Sequence, residues 1–430
     1  MRNRPVELIE LDTTAACGLD GALPEQLADI MPTLATARRE LLQVLPPTEL
    51  LDEYRQTGGR GNPRSRLGQI LATARRLADE VDRVVVVAGR DAGLAARAVL
   101  DSCAHPYHNE LSRAERGGYP RVYLAPDRAD NDALHALLDL LMPPRAGGEL
   151  EHRWGLITVD DGALETAVVS RVLAQSLRRN INGLPDRVES LHVSIPASHV
   201  SASGDLLSAG VLLPAAMAGL DVVGLLSGAA AIHDRFAHDP ADACHALRLA
   251  GLCHLAGPAA DACQMVVWAT ALETAAAWYR RLREEAFAAS QSELPADLHT
   301  RPLAGKIMRT PLVLHVTAQR VRRDRLMLDT VVNQRPIEND QLAAVAGNKL
   351  PEITQTMLAA AAAANRAADQ PAVQLRLPQM DERSVGQLLQ MLKLATAVEV
   401  RLATMRAPLR RCRQRAETGQ PDTDSTHDLL

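Results

Sequence analysis

Residues 155–167 read GLITVDDGALETA. Gly155-Leu156-Ile157-Thr158 is a short apolar run, Asp160-Asp161-Gly162 is a small polar turn, and Ala163 to Val169 is a helix-compatible stretch. A strand, a turn and a helix start in that order form the unit from which α/β sheets are built. They also form a natural anion site, because free backbone N–H groups at a helix N-terminus point into the turn. In this chain the turn carries two carboxylates where an anion would be received.

The same grammar extends in both directions. Val84-Val85-Val86-Val87 is a continuous β-branched run, the pattern of a strand buried on both faces of a parallel sheet. A helix-period stretch from Leu67 to Val81 precedes it, and a helix through Ala95, Ala98, Val99 and Leu100 follows. Arg121-Val122-Tyr123-Leu124 predicts a second strand and Asn131 to Leu141 a further helix. Later strands are expected at Met265-Val266-Val267-Trp268, Pro311 to Val316 and Val373 to Leu377. A long helix is expected around Trp278 to Leu282, and an alanine-rich one over Ala359 to Ala368. This alternation implies an α/β fold of doubly wound, mainly parallel sheets with helices on both faces. The expected organisation is a helical N-terminal extension over 1–65, ending in the turn-rich TGGRGNPRSR. A first domain over 66–235, a second over 236–412 and a disordered tail over 413–430 follow.

Composition narrows the function. A chain of 430 residues, 47% hydrophobic and 23% charged, is long enough for two real cores. A net charge of −5 gives no overall basic field, which argues against nucleic acid as a partner. Aromatics at 2% remove the stacking platforms of single-strand binders and leave the core to Leu, Val and Ala. The longest apolar run, Gly210 to Ile232, is interrupted by Pro214 and Asp221, so buried helices around a loop are expected and no membrane span. The six cysteines are scattered with no secretory signal before them, and read as reduced thiols of a cytoplasmic protein. Cys244-His245, Cys253-His254 and Cys263 match no common zinc spacing, so no metal is expected there.

Four segments carry a resemblance. HPYHNELSRAERGGYPRVYLAPDRADNDALHALLDLL from His105, WGLITVDDGALETA from Trp154, LLPAAMAGLDVVGLLSGAAA from Leu212 and LPQMDERSVGQLLQMLKLATA from Leu377 stand in this order. They resemble bacterial phosphoglucose isomerases, the glucose-6-phosphate isomerase family, over roughly residues 80–405. The resemblance implies two sugar-isomerase (SIS) domains, each an αβα sandwich, no cofactor, and a homodimer with active sites at the subunit interface. It also implies a reaction that moves a proton between C1 and C2 of a sugar phosphate through an enediol. That chemistry needs a phosphate cradle, a ring-opening group, a carboxylate base and a cation to steady the oxyanion.

The family's cradle of Ser, Ser and Thr hydroxyls falls on Thr158 to Ala163. Thr158 and Gly162 remain as substrate-binding candidates, while Asp160 and Ala163 stand where the family has hydroxyl donors. Ionised carboxylates accept hydrogen bonds and cannot donate them. Asp160 and Asp161 also fit a solvated, N-capping turn, or a site for a metal or cationic ligand. The family's Gly-x-Gly-Gly-Ser loop reads Ala88-Gly89-Arg90-Asp91-Ala92, and its Gly-Gly-Arg cation falls on Ser201-Ala202-Ser203, so Ser203 brings no charge. Its closing Asn-Pro-Phe-Asp-Gln-Pro-Gly-Val-Glu motif and lysine are absent; Met405 to Cys412 stand there instead.

Two catalytic candidates persist. Glu285 aligns with the family's base, although a Glu on an Arg-rich helix is also a ready ion-pair partner. His299 aligns with the ring-opening histidine, although a His after Asp-Leu also serves as a loop or cap residue. The expectation is a phosphoglucose-isomerase-like protein with lost or strongly impaired activity, acting as a binding or oligomeric partner. It would be a homodimer or a heterodimer with an intact paralogue. The alternative is an active glucose-6-phosphate isomerase of glycolysis and gluconeogenesis binding a sugar phosphate in a rebuilt site, with Arg90 or Arg301 replacing the cation.

Overall fold

The computed structural model describes residues 7–14, 22–44, 47–58, 62–142, 153–180, 191–196, 206–257, 259–292, 311–328, 331–332, 335–336 and 345–418. The chain opens with strand β1 (Glu10–Asp12) and helices α1 (Ala22–Val44), α2 (Glu49–Thr57) and α3 (Arg66–Glu80). Then come β2 (Arg83–Val87), α4 (Arg90–Cys103), β3 (Arg121–Leu124), α5 (Asn131–Leu141), β4 (Trp154–Asp160), α6 (Leu164–Asn180) and β5 (His192–Pro196). Helices α7 (Ala209–Met217), α8 (Val222–His238) and α9 (His245–Ala256) lead to β6 (Cys263–Val267), α10 (Glu273–Ser292) and β7 (Leu312–Arg320). The short pair β8 (Val331–Val332) and β9 (Arg335–Pro336) precedes α11 (Leu350–Ala367), β10 (Ala372–Gln379) and α12 (Glu382–Thr418).

Two sheets organise these elements. The first has strand order β3-β2-β4-β5, all parallel, with Val86 level with Leu124 on one side and Ile157 on the other. The four valines of β2 are at most 1% exposed, as a strand covered on both faces requires. The second sheet has order β1-β10-β7-β6; β10, β7 and β6 run parallel, and β1 joins antiparallel with Leu11 opposite Leu375. The helical lead-in thus supplies an edge strand to a sheet built mostly from residues beyond 262. Gln387 of α12 accepts the Ile9 N–H at 2.7 Å and so secures this strand's approach.

Local chemistry sets the helix boundaries. Ser65 caps α3 through the Gly68 N–H at 3.0 Å, and Asp130 caps α5 through the N–H groups of Asp132 and Ala133. The apolar run Gly210 to Ile232 is two buried helices. Gly219, at φ +81°, turns the chain between them, and Asp221 caps α8 through the Gly224 N–H at 2.9 Å. Among the described residues no helix is long and apolar enough to cross a membrane. The backbone of α12 continues to Thr418, so the tail expected to be disordered from residue 413 begins as helix, and 419–430 lie outside the described residues.

Helices α8 and α12 cross closely. A Cβ at Gly228 would fall 1.9 Å from the Arg383 carbonyl oxygen, and one at Gly386 would fall 2.1 Å from that of Leu225. A second tie, between α10 and α12, is ionic. Arg283 and Glu399 are 0% and 1% exposed and form a two-pronged bond at 2.7 and 2.8 Å. The same guanidinium donates to the carbonyls of Ala259 and Ala260 and lies over the rings of Tyr279 and Phe287. Cys244, Cys253 and Cys263 are buried free thiols, and Cys253 and Cys263 hydrogen-bond to each other beside this pair. Among the described residues no cluster of three or more His, Cys, Asp or Glu could hold a metal ion.

Candidate functional site

In the first sheet the chain passes from β2 to β3 on one side and then to β4 on the other. The loops after β2 and β4 therefore diverge across a crevice at the carboxyl ends of the strands, where ligands bind in open α/β sheets. The Ala88-Gly89 turn and the Asp160–Ala163 turn face each other there.

The β4 turn is internally satisfied. The Gly162 N–H donates to Asp160 Oδ1 and the Ala163 N–H to Asp161 Oδ1, both at 3.0 Å, just before α6 begins. Gly162 has φ +76°, the left-handed conformation that Gly adopts without steric cost. The second Asp161 oxygen lies directly against Gly89; a Cβ there would sit 1.7 Å from Oδ2. Gly89 itself has φ −63°, so its backbone does not call for glycine; the missing Cβ leaves the space that the Asp161 carboxylate occupies at this N-cap of α4. The exposed Asp161 thus bridges the starts of two helices, at the partial positive charge each presents.

Thr158 is turned to the interior. Its hydroxyl is 2.7 Å from Ser170 Oγ and 3.0 Å from His192 Nε2, and the residue is 7% exposed. Burial holds the His192 imidazole below its ordinary pKa, with the Arg178 charge adding to the effect. The Thr158 hydroxyl is therefore engaged inside the domain.

Glu285 lies on α10 with its side chain 23% exposed and is held by Arg281 at 2.8 Å. Arg281 also grips Asp91, in the first turn of α4, at 2.9 Å. Burial by itself raises the Asp91 carboxyl. The hydrogen bond from Arg281 and the charges of Arg281 and Arg90 outweigh it, so Asp91 sits below the usual carboxylate range. The i, i+4 spacing of Arg281 and Glu285 is visible in the sequence. The third member, Asp91, joins them only through the packing of α4 on α10. Arg90 is exposed and, with Arg97 and Arg280, lines an adjoining cavity of about 640 Å³. Ser203, His299 and Arg301 lie outside the described residues.

No family model matches the chain. It is 31% identical over 206 residues to a glucose-6-phosphate isomerase of Rubrobacter xylanophilus, spanning 42% of this chain and 44% of that protein, less than half its length. It is 25% identical over 369 residues to a glucose-6-phosphate isomerase of Symbiobacterium thermophilum, spanning 78% of each. The structure resembles that of a glucose-6-phosphate isomerase from Chlamydia trachomatis with a TM-score of 0.58 at 14% identity, covering 97% of this chain and 90% of that one. The fold is shared, and the distant sequence similarity supports descent from a common ancestor with these isomerases.

Proposed function

We propose that this chain is a glucose-6-phosphate-isomerase-like protein whose isomerase reaction is lost or strongly impaired, and that it acts by binding, as a homodimer or as the partner of an intact paralogue. The observation that carries this reading is the self-filled crevice. Asp160 and Asp161 take up the Gly162 and Ala163 N–H groups, and Asp161 lies over Gly89, where a substrate phosphate would need backbone donors. Two unit charges of like sign about 4 Å apart repel by roughly 4 kcal/mol at an effective dielectric of about 20. Water at these exposed groups reduces that to about 1 kcal/mol, yet two carboxylates facing a dianion repel several times over. Titration of the purified protein with fructose 6-phosphate in a calorimeter is expected to give no saturable heat in the micromolar range. A micromolar Kd would overturn the proposal.

A second reading, an active isomerase with a rebuilt site, draws on the Asp91–Arg281–Glu285 cluster beside the cavity that Arg90 lines. Half-buried carboxyls next to a guanidinium are groups that proton transfer uses. This reading expects Glu285→Gln to abolish turnover while leaving the thermal midpoint within about 2 °C of the parent. Unchanged turnover in that variant would eliminate it.

A further inference from the structure

A second cavity, of about 780 Å³, opens at the carboxyl ends of β6 and β7, against the start of α11 and the end of α4. It is separate from the Asp160–Asp161 crevice, and its wall includes Trp268. Trp154 and Trp278 are buried at 1% and 0%, whereas Trp268 is half-buried.

Trp268 is held at two points. Its backbone N–H donates to the Val316 carbonyl at 3.0 Å, which prolongs the β6–β7 ladder. Its indole N–H donates to His315 Nδ1 at 3.1 Å. An imidazole that accepts at Nδ1 and is neutral carries its proton on Nε2. The Asn365 Nδ2 lies 3.0 Å from Nε2; with the ring proton on Nε2, the amide is turned over so that its oxygen accepts there. Burial keeps His315 below the ordinary imidazole pKa, in line with the neutral form. With its one polar atom engaged inward, the indole offers the cavity an apolar ring fixed in place.

The rim carries charge. Arg322 is committed to structure, donating to the carbonyls of Met380, Ala104 and Ser102. Arg323 and Arg325 are exposed and have no ion-pair partner among the described residues. The carboxylates in the lining are Asp324 and Glu352, and Glu352 accepts the Lys349 N–H at the start of α11.

We propose that this cavity binds a small molecule with a flat ring and an anionic group, of the nucleoside monophosphate class, the ring lying on Trp268 and the anion meeting Arg323 and Arg325. A volume of this size suits such a ligand, and a fixed aromatic wall with a few convergent polar groups is the usual make-up of small-molecule sites. Stacking on an aromatic wall tolerates any flat ring, and guanidiniums select the anion.

The test is tryptophan fluorescence with adenosine 5′-monophosphate as probe, with adenosine and inorganic phosphate as comparators, and calorimetry in parallel. Saturable quenching by the monophosphate at sub-millimolar concentration is expected, with several-fold weaker quenching by adenosine and none by phosphate. Trp268→Leu is expected to weaken calorimetric binding roughly tenfold. Trp268→Phe, which keeps a ring, is expected to retain it. The pair Arg323→Ala and Arg325→Ala is expected to weaken the monophosphate and leave adenosine unchanged. No saturable change with the monophosphate, or binding that both Trp268→Leu and the arginine pair leave intact, would overturn the assignment. Asp160→Ser together with Asp161→Ser is expected to leave the Trp268 quenching untouched, so that signal is independent of the first-sheet crevice.

Discussion

Glu399→Ala is expected to cost about 3–5 kcal/mol of folding stability, the figure for removing one partner of a buried pair. Its absence leaves the Arg283 guanidinium, 0% exposed, with only the Ala259 and Ala260 carbonyls, the Tyr279 hydroxyl and two aromatic faces around a full charge. Against a total stability of about 5–15 kcal/mol this is a large fraction. The exposed pair Arg55–Asp234, at 2.8 Å with side chains 29% and 50% exposed, provides the contrast. Arg55→Ala is expected to cost at most about 1 kcal/mol. Urea unfolding of both variants decides the matter. A loss from Glu399→Ala no larger than that from Arg55→Ala would show that the α10–α12 tie is dispensable.

The second large effect is a gain. Replacing Asp160 and Asp161 together by Ser removes two negative charges from the crevice and frees the Gly162 and Ala163 N–H groups for an external anion. Binding of inorganic phosphate, followed by calorimetry, is expected to tighten at least tenfold, about 1.4 kcal/mol. Both positions are exposed, where substitutions move stability little, so the loss of stability should stay below about 1 kcal/mol. Phosphate affinity equal to that of the parent would mean that the two carboxylates are not what closes this site.

Much of the framework is legible in the residues because burial on both faces leaves a strong mark. The valines of β2 and the interrupted run from Gly210 to Ile232 could be read as strand and paired helices directly. Strand β1 could not, since Glu10-Leu11-Asp12 is short and polar at both ends and takes its order from β10. The site was legible as residue types and not as orientations. Thr158 sits in a strand whose side chains alternate between two covered faces, so nothing in its neighbours tells that the hydroxyl turns to Ser170 and His192. Asp161 is visible as a charge in a turn. Its contact with Gly89, seventy-two positions earlier, comes from the adjacency of β2 and β4. Glu285 shows its Arg281 partner through helical spacing, but Asp91 only through tertiary packing.

The reading of the crevice as a site that has closed on its own carboxylates meets its most direct test in a coupled fructose-6-phosphate to glucose-6-phosphate assay. The protein should be purified from a host lacking its own isomerase. Folded protein is expected to give no turnover above background, whereas turnover at ordinary enzyme rates, about 10 s⁻¹ or more, would contradict the account.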